Sequence, residues 1–201
     1  MTQAKSRFRT FEEYAALDPS ELPEGNYELV DGVIVEMGAE RPENVVIASF
    51  LFAMLLPFCP YYLLHRGTEI AVSSTEVTSR YPDLLVLTEA GLAALLAQSQ
   101  SRSLIGFDMP APALVVEVIS PGEPGSANYE RDYVEKPREY AQRGIPEFWQ
   151  VDPDRSVVFV LSLVGDRYKQ AAFRGSDRIM SPKFPSLSLT AQQVLSAGKV
   201  V

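Results

Sequence analysis

The chain has 201 residues, a net charge of −8, and 46% apolar and 22% charged residues, the balance of an ordinary folded protein rather than a disordered or fibrous one. Its longest apolar run, Val45 to Phe58, is about 14 residues broken by Ser49 and Pro57, short of the roughly 18 needed to span a bilayer. Cys59 is the single cysteine and His65 the single histidine, which rules out an intrachain disulfide, a multi-cysteine zinc site and a histidine cluster; a cytoplasmic setting is expected, since residues 1–9 carry no apolar signal segment, and the acidic total argues against a nonspecific, long-lived DNA binder.

In chain order, Thr10-Phe11-Glu12-Glu13 has capping-box spacing and opens a short helix ended by Pro19 and Pro23. Asn26 to Val30, Asp31-Gly32 and Val33 to Met37 read as strand, two-residue turn and strand. Asn44 is placed to cap an apolar helix running to about Leu56. Tyr61 to Leu64 and Glu69 to Val72 read as strands around Arg66-Gly67, and Ser73 to Arg80 as a polar link. A strand opens at Asp83 after Pro82, followed by a helix from Glu89 to Ala97 and a loop from Gln98 to Pro112. Ala113 to Ile119 is a buried strand ended by Ser-Pro-Gly. Beyond the Pro121 to Asn128 loop, Tyr129 to Arg143 has helical character, interrupted by Pro137 and stopped by Gly144. Phe148 to Val151, Val157 to Leu163 and Arg167 to Phe173 read as strands, and Thr190 to Leu195 as a short closing helix. The expectation is one domain over 1–201, with a core of about 10–175 and a tail of 176–201. Its class is mixed α/β (α+β), with a sheet of roughly six or more strands flanked by helices.

Glu117 is the one carboxylate within the aliphatic strand Ala113 to Ile119. Burying it costs several kcal/mol unless it is paired or bound to a metal, so it lies either on a solvent-facing edge or in a site. Asp83, at the start of a second strand, is alone no more than the polar residue after a turn proline. If the two strands are neighbours, their carboxylates repel, and a divalent cation resolves the conflict; oxygen ligands favour Mg²⁺ or Mn²⁺. Lys136 lies among Arg131, Asp132, Glu135, Arg138 and Glu139, where a solvated helix lysine is the simple reading. Glu28 alternates with Tyr27 and Leu29, which places it on a solvent face. His65 reads as structural or surface, Cys59 and Trp149 as core. No G-x-G-x-x-G or P-loop is present, which weakens nucleotide-dependent transferase and dehydrogenase readings.

An ordered set of segments resembles one family: Tyr27-Glu28-Leu29-Val30-Asp31-Gly32, Tyr81-Pro82-Asp83, Val115 to Pro121, Lys136 to Tyr140, and Gly144 to Pro153. It is similar to the Uma family of proposed endonucleases, within the restriction-endonuclease-like PD-(D/E)XK superfamily. The resemblance implies a central mixed sheet flanked by helices and a metal-dependent endonuclease acting on DNA. It implies Mg²⁺ (or Mn²⁺) on Asp83 and Glu117, helped by the carbonyl of Val118, with Glu28 completing the shell. Ile119 stands where the superfamily's Glu-x-Lys motif has lysine, and the resemblance points to Lys136 on the following helix in its place. Pro137 and Asn44 depart from the family, which tends to a helix former and often a histidine there. Relatives on this scaffold are often dimers, so a homodimer is expected, with no membrane association. The rival expectation is a catalytically degenerate nuclease-fold protein acting through nucleic-acid or protein contacts.

Overall fold

The structure, a computed structural model, describes residues 7–25, 27–73, 75–98, 102–120 and 122–199. The expected strand start at Asn26, Pro121 of the family-like segment, and parts of the N-terminal segment, of the 73–80 and 98–112 connections and of the C-terminal tail lie outside them.

Helix α1 (Phe11–Ala15) starts at Thr10, whose hydroxyl accepts the Glu13 N–H at 3.2 Å. Strands β1 (Tyr27–Val30) and β2 (Val33–Glu36) pair antiparallel across Asp31-Gly32. Both turn residues have positive φ, 49° and 72°, which is what a two-residue hairpin with right-handed strand twist requires. A Cβ at Gly32 would lie 2.3 Å from the Phe8 carbonyl oxygen, so close chain approach also demands glycine there.

Helix α2 (Pro42–Leu55) begins three residues earlier than a cap at Asn44 would allow. Arg41 is its N-cap and Pro42 its first residue, a position where proline's missing N–H and fixed φ are no handicap. Asn44 is therefore inside the helix and buried. Of Tyr61 to Leu64, the first three residues form a 3₁₀ turn, and only Leu64–His65 pair, as β3. Then come β4 (Glu69–Ser73), β5 (Thr78–Arg80), β6 (Leu84–Val86), helix α3 (Glu89–Leu96), β7 (Leu104–Ile105) and β8 (Leu114–Val118). A broken helix follows: α4 (Ala127–Glu130), a π-helical turn at Arg131–Glu135, and α5 (Lys136–Gln142). Strands β9 (Glu147–Asp152), β10 (Val157–Val164) and β11 (Arg167–Phe173) precede α6 (Ala191–Ala197), capped by Thr190.

The strands form two mixed sheets where one was expected. Their orders are β2-β1-β5-β4-β7 and β11-β10-β9-β8-β6-β3. The difference comes from β5 and β7. Thr78, Ser79 and Arg80 are polar yet almost wholly buried, so an apolar pattern does not reveal them, and β7 is only two residues paired parallel to β4. In the six-stranded sheet β8 is central, antiparallel to β6 and parallel to β9. Helix α2 packs on β8 and α6, and α5 packs on β4 and β11. The main core gathers Leu51, Leu84, Val116, Phe148, Trp149 and Leu189 between these layers. A smaller cluster of Phe11, Tyr14, Leu29, Ala71, Val77 and Leu104 belongs to the five-stranded sheet. Among the described residues no helix is long and apolar enough to cross a membrane.

Candidate functional site

The site begins where the β6–β8 ladder stops. Leu84 faces Val116, so the same register two residues on sets Pro82 opposite Val118. Proline has no N–H to give, and side chains take over the Val118 peptide. Asp83 Oδ2 accepts its N–H at 2.6 Å, and Asn44 Nδ2 donates to its carbonyl at 3.2 Å. This brings the Asp83 carboxylate, at the mouth of β6, and Glu117, one residue before Val118 on β8, into one cavity of about 580 Å³.

Glu117 is 4% exposed and sits on a central strand, not an edge. One oxygen accepts from the Tyr140 hydroxyl at 2.6 Å and the other from Lys136 Nζ at 2.8 Å. Lys136 is only 5% exposed, so the solvated helix lysine of the simple reading is instead a buried ammonium. It lies 3.4 Å from Asp132 and 3.6 Å from Glu28. Burial alone would favour losing its proton, but Glu117, Glu28 and Asp132 outweigh burial and raise its pKa.

Glu28 is likewise buried rather than solvent-facing. Its other partner is Arg80 Nη1 at 2.7 Å, and Arg80 also grips Glu139 with two further bonds of 2.7 and 2.9 Å. Burial pushes Glu28 up, yet Lys136 and Arg80 prevail and hold it below the usual carboxylate range. Asp83 and Glu117 go the other way. Burial and mutual repulsion raise Asp83 well above normal. Glu117 is also raised, by burial first and then by Glu28, against the pull of Lys136. The cavity therefore holds an under-compensated pair of carboxylates beside a compensated one.

Lys136 owes its position to the π-turn. Its backbone N–H reaches back five residues to the Arg131 carbonyl, which leaves the Asp132 carbonyl without its usual i+4 donor. The i+5 position is Pro137, which has no N–H. Gln150 Nε2 fills the gap, donating to the Asp132 carbonyl at 2.6 Å. Gln150 is on β9, directly opposite Glu117. The interruption expected at Pro137 is thus a single π-turn followed by a fresh helix start.

The four residues singled out in the sequence, Glu28, Asp83, Glu117 and Lys136, all line the cavity. Among the described residues no three His, Cys, Asp or Glu side chains are grouped as a metal ligand set, because the Glu28 oxygens face Arg80 and Lys136 rather than the other two acids. Two features nonetheless suit a divalent cation: the raised carboxylate pair, and Asn44 Oδ1, a buried acceptor with no hydrogen-bond partner among the described residues. Both supply hard oxygen donors. Sequence reasoning left out Arg80, Asp132, Tyr140 and Gln150. Tyr140 was within reach as part of the Lys136 to Tyr140 segment, but nothing local marks the partners of Arg80 or Gln150, which lie 59 and 18 positions away.

A solved relative shares this architecture. The crystal structure of a protein described as a "putative nuclease belonging to DUF820", from Anabaena variabilis, superposes with a TM-score of 0.69 at 19% identity. The match covers 94% of this chain and 98% of that one. At that identity the likeness speaks for the fold alone. No curated protein matches. The model of the Uma2 family, described as "Putative restriction endonuclease", matches residues 11–192, and the chain belongs to that family.

Proposed function

We propose that this protein is a metal-dependent endonuclease that hydrolyses phosphodiester bonds in DNA. The observation that carries the reading is the meeting of Asp83 and Glu117 in one cavity with the Lys136 ammonium 2.8 Å from Glu117. Asp83 and Glu117 would hold Mg²⁺ or Mn²⁺, which when bound polarises the scissile phosphate and lowers the pKa of water. Glu117 is kept in one rotamer by the Tyr140 hydroxyl, and Asp83 by the Val118 N–H. Lys136 presents a fixed positive charge toward the oxygen on which negative charge develops, an interaction strengthened by exclusion of water. Glu28, as we read it, holds Lys136 and Arg80 rather than the metal.

Purified protein is expected to nick or cut DNA with Mg²⁺ or Mn²⁺, and Asp83→Ala to abolish cutting with its circular dichroism spectrum unchanged. Cutting that persists in the variant would disprove the role. The geometry also favours a second reading, a nuclease-fold protein that binds without cutting: one Glu117 oxygen is already taken by Lys136 at 2.8 Å, and no three-acid ligand set is formed among the described residues. Calorimetric titration with Mn²⁺ separates the two, since a degenerate site gives no heat that depends on Asp83 and Glu117.

A further inference from the structure

Tyr81 stands two residues before Asp83 and is the aromatic residue most exposed on the wall of the same cavity, at 42%. Its setting is rigid. Arg80 on one side is buried and bonded to Glu28, Glu135 and Glu139, while Pro82 on the other fixes its own φ and restricts the residue before it. Tyr81 is the first residue after β5 and is exposed, whereas the strand's last residue, Arg80, is buried. The ring reaches along the 66–67 turn, where a Cβ at Gly67 would lie 3.4 Å from the Tyr81 hydroxyl. The neighbouring Tyr27 is half-buried and also lines the cavity. Arg66 stands beside this wall, with Nε donating to the Asp83 carbonyl at 3.2 Å and Nη1 to Ser49 Oγ at 3.0 Å.

We propose that Tyr81, with Tyr27 behind it, is a stacking platform for an unpaired nucleobase next to the reacting phosphate, which makes single-stranded DNA the preferred substrate. This deepens the nuclease reading and rests on it. A cavity of about 580 Å³ is of the size that takes one small ligand, so a nucleotide enters it by leaving its stack. In a duplex, unstacking and unpairing a nucleotide opposes entry; in a single strand, the ring face replaces stacking already largely absent. Stacking on an aromatic ring adds about 1–3 kcal/mol per base through the π-face of the base rather than through charge. That fits a chain with net charge −8, whose weak phosphate attraction leaves more of the binding to base contacts. Arg66, held by Asp83 and Ser49, places a guanidinium where the adjoining phosphate passes.

The test compares binding and cutting separately. Fluorescence anisotropy with labelled oligothymidylate and with a duplex of equal length, in Ca²⁺, is expected to show tighter binding to the single strand. Tyr81→Ala weakens that binding by about 5- to 150-fold, the range of one lost stacked base, and changes duplex binding much less. Tyr81→Phe and Tyr81→Trp retain it, which separates the loss of a ring from a loss of fold. A wild-type preference for duplex, or oligothymidylate binding unchanged in Tyr81→Ala, overturns the proposal. Cutting in Mn²⁺ tests the reading beneath it: single-strand binding that depends on Tyr81 but without any Asp83-dependent cleavage sinks the nuclease and leaves the platform standing.

Discussion

At the scale of single residues, Lys136 is the pivot. Three carboxylates, Glu28, Glu117 and Asp132, face one ammonium, and all four side chains are almost wholly buried. Removing one member of such a group leaves uncompensated buried charge, an effect of about 3–5 kcal/mol. Lys136→Met is therefore expected to lower the stability measured by urea denaturation by about that much, while a fall under ~1 kcal/mol would mean that solvent reaches the site. Asp83 has the opposite sign. Its pKa is raised in the folded chain by burial and by Glu117, so the folded state holds a proton that the unfolded state releases. That contribution is present below the unfolded carboxylate pKa and is lost as pH rises through the folded one. Asp83→Asn removes the titrating group while keeping an oxygen for the Val118 N–H. Without metal, the variant is expected to match the wild type in acid and to melt higher at neutral pH, by about 2–4 °C per kcal/mol relieved. Melting curves from pH 4 to neutrality, roughly the window above a free carboxylate's pKa, check this, and a variant less stable than wild type at neutral pH would show the site charge to be already compensated. Glu117 was legible in the sequence as a charge inside an apolar strand, and Asp83, alone only the polar residue after a turn proline, became legible together with it. The true settings of Glu28 and Lys136 were not, since alternation and composition do not show that a distant Arg80 or Glu117 is present to compensate burial.

At the scale of elements, the π-turn at 131–135 converts a proline into a feature of the candidate site. Pro137 withholds an N–H, Gln150 supplies the missing donor, and the extra residue in the turn sets the direction in which Lys136 leaves the helix. Gln150→Leu keeps the volume of the side chain but strands the Asp132 carbonyl, a loss of about 1–3 kcal/mol. A structural role alone would stop there. If the bond also aims Lys136, cleavage in Gln150→Leu falls below that in Gln150→Glu at low pH, where a protonated carboxyl can again donate to the carbonyl. Equal cleavage in the two variants across pH would restrict Gln150 to structure. The sequence marked an interruption at Pro137 but left open whether the helix bends or restarts, because its form depends on β9, which lies across a turn. It also passed over β5, for the same reason that hides many buried polar strands: Ser79 donates to Glu69, and Arg80 is matched by Glu28 and Glu139, so burial there is supported by pairing and leaves no apolar signature. The Asp31-Gly32 hairpin, the β8 strand and the β10–β11 pair were legible because their signals are local.

At the scale of the whole molecule, Arg80 joins the two halves of the site. It rises from β5 in the five-stranded sheet, pairs with Glu28 on β1 of the same sheet, and reaches across to Glu139 on α5. Helix α5 in turn packs on β11 of the six-stranded sheet and carries Lys136. The guanidinium is fully buried, 1% exposed, and its bidentate hold on Glu139 fixes distance and angle together. Arg80→Met breaks this link, takes one of two cationic partners from Glu28 and strands the buried Glu139, and is expected to destabilise the protein by about 3–5 kcal/mol. The double variant Arg80→Met, Glu139→Leu removes one stranded charge as well and regains part of the loss, the coupling expected of residues in direct contact. Because the pair is shielded from solvent, the loss should barely change between low and high salt, unlike that of a surface bridge. Hydrogen exchange adds the spatial test: amides of α5 and of β5 should lose protection together in Arg80→Met, whereas β10 and β11, paired with each other along seven residues, keep theirs. If α5 stayed protected while β5 opened, the two sheets would be held together by apolar packing alone, and Arg80 would act only within its own sheet.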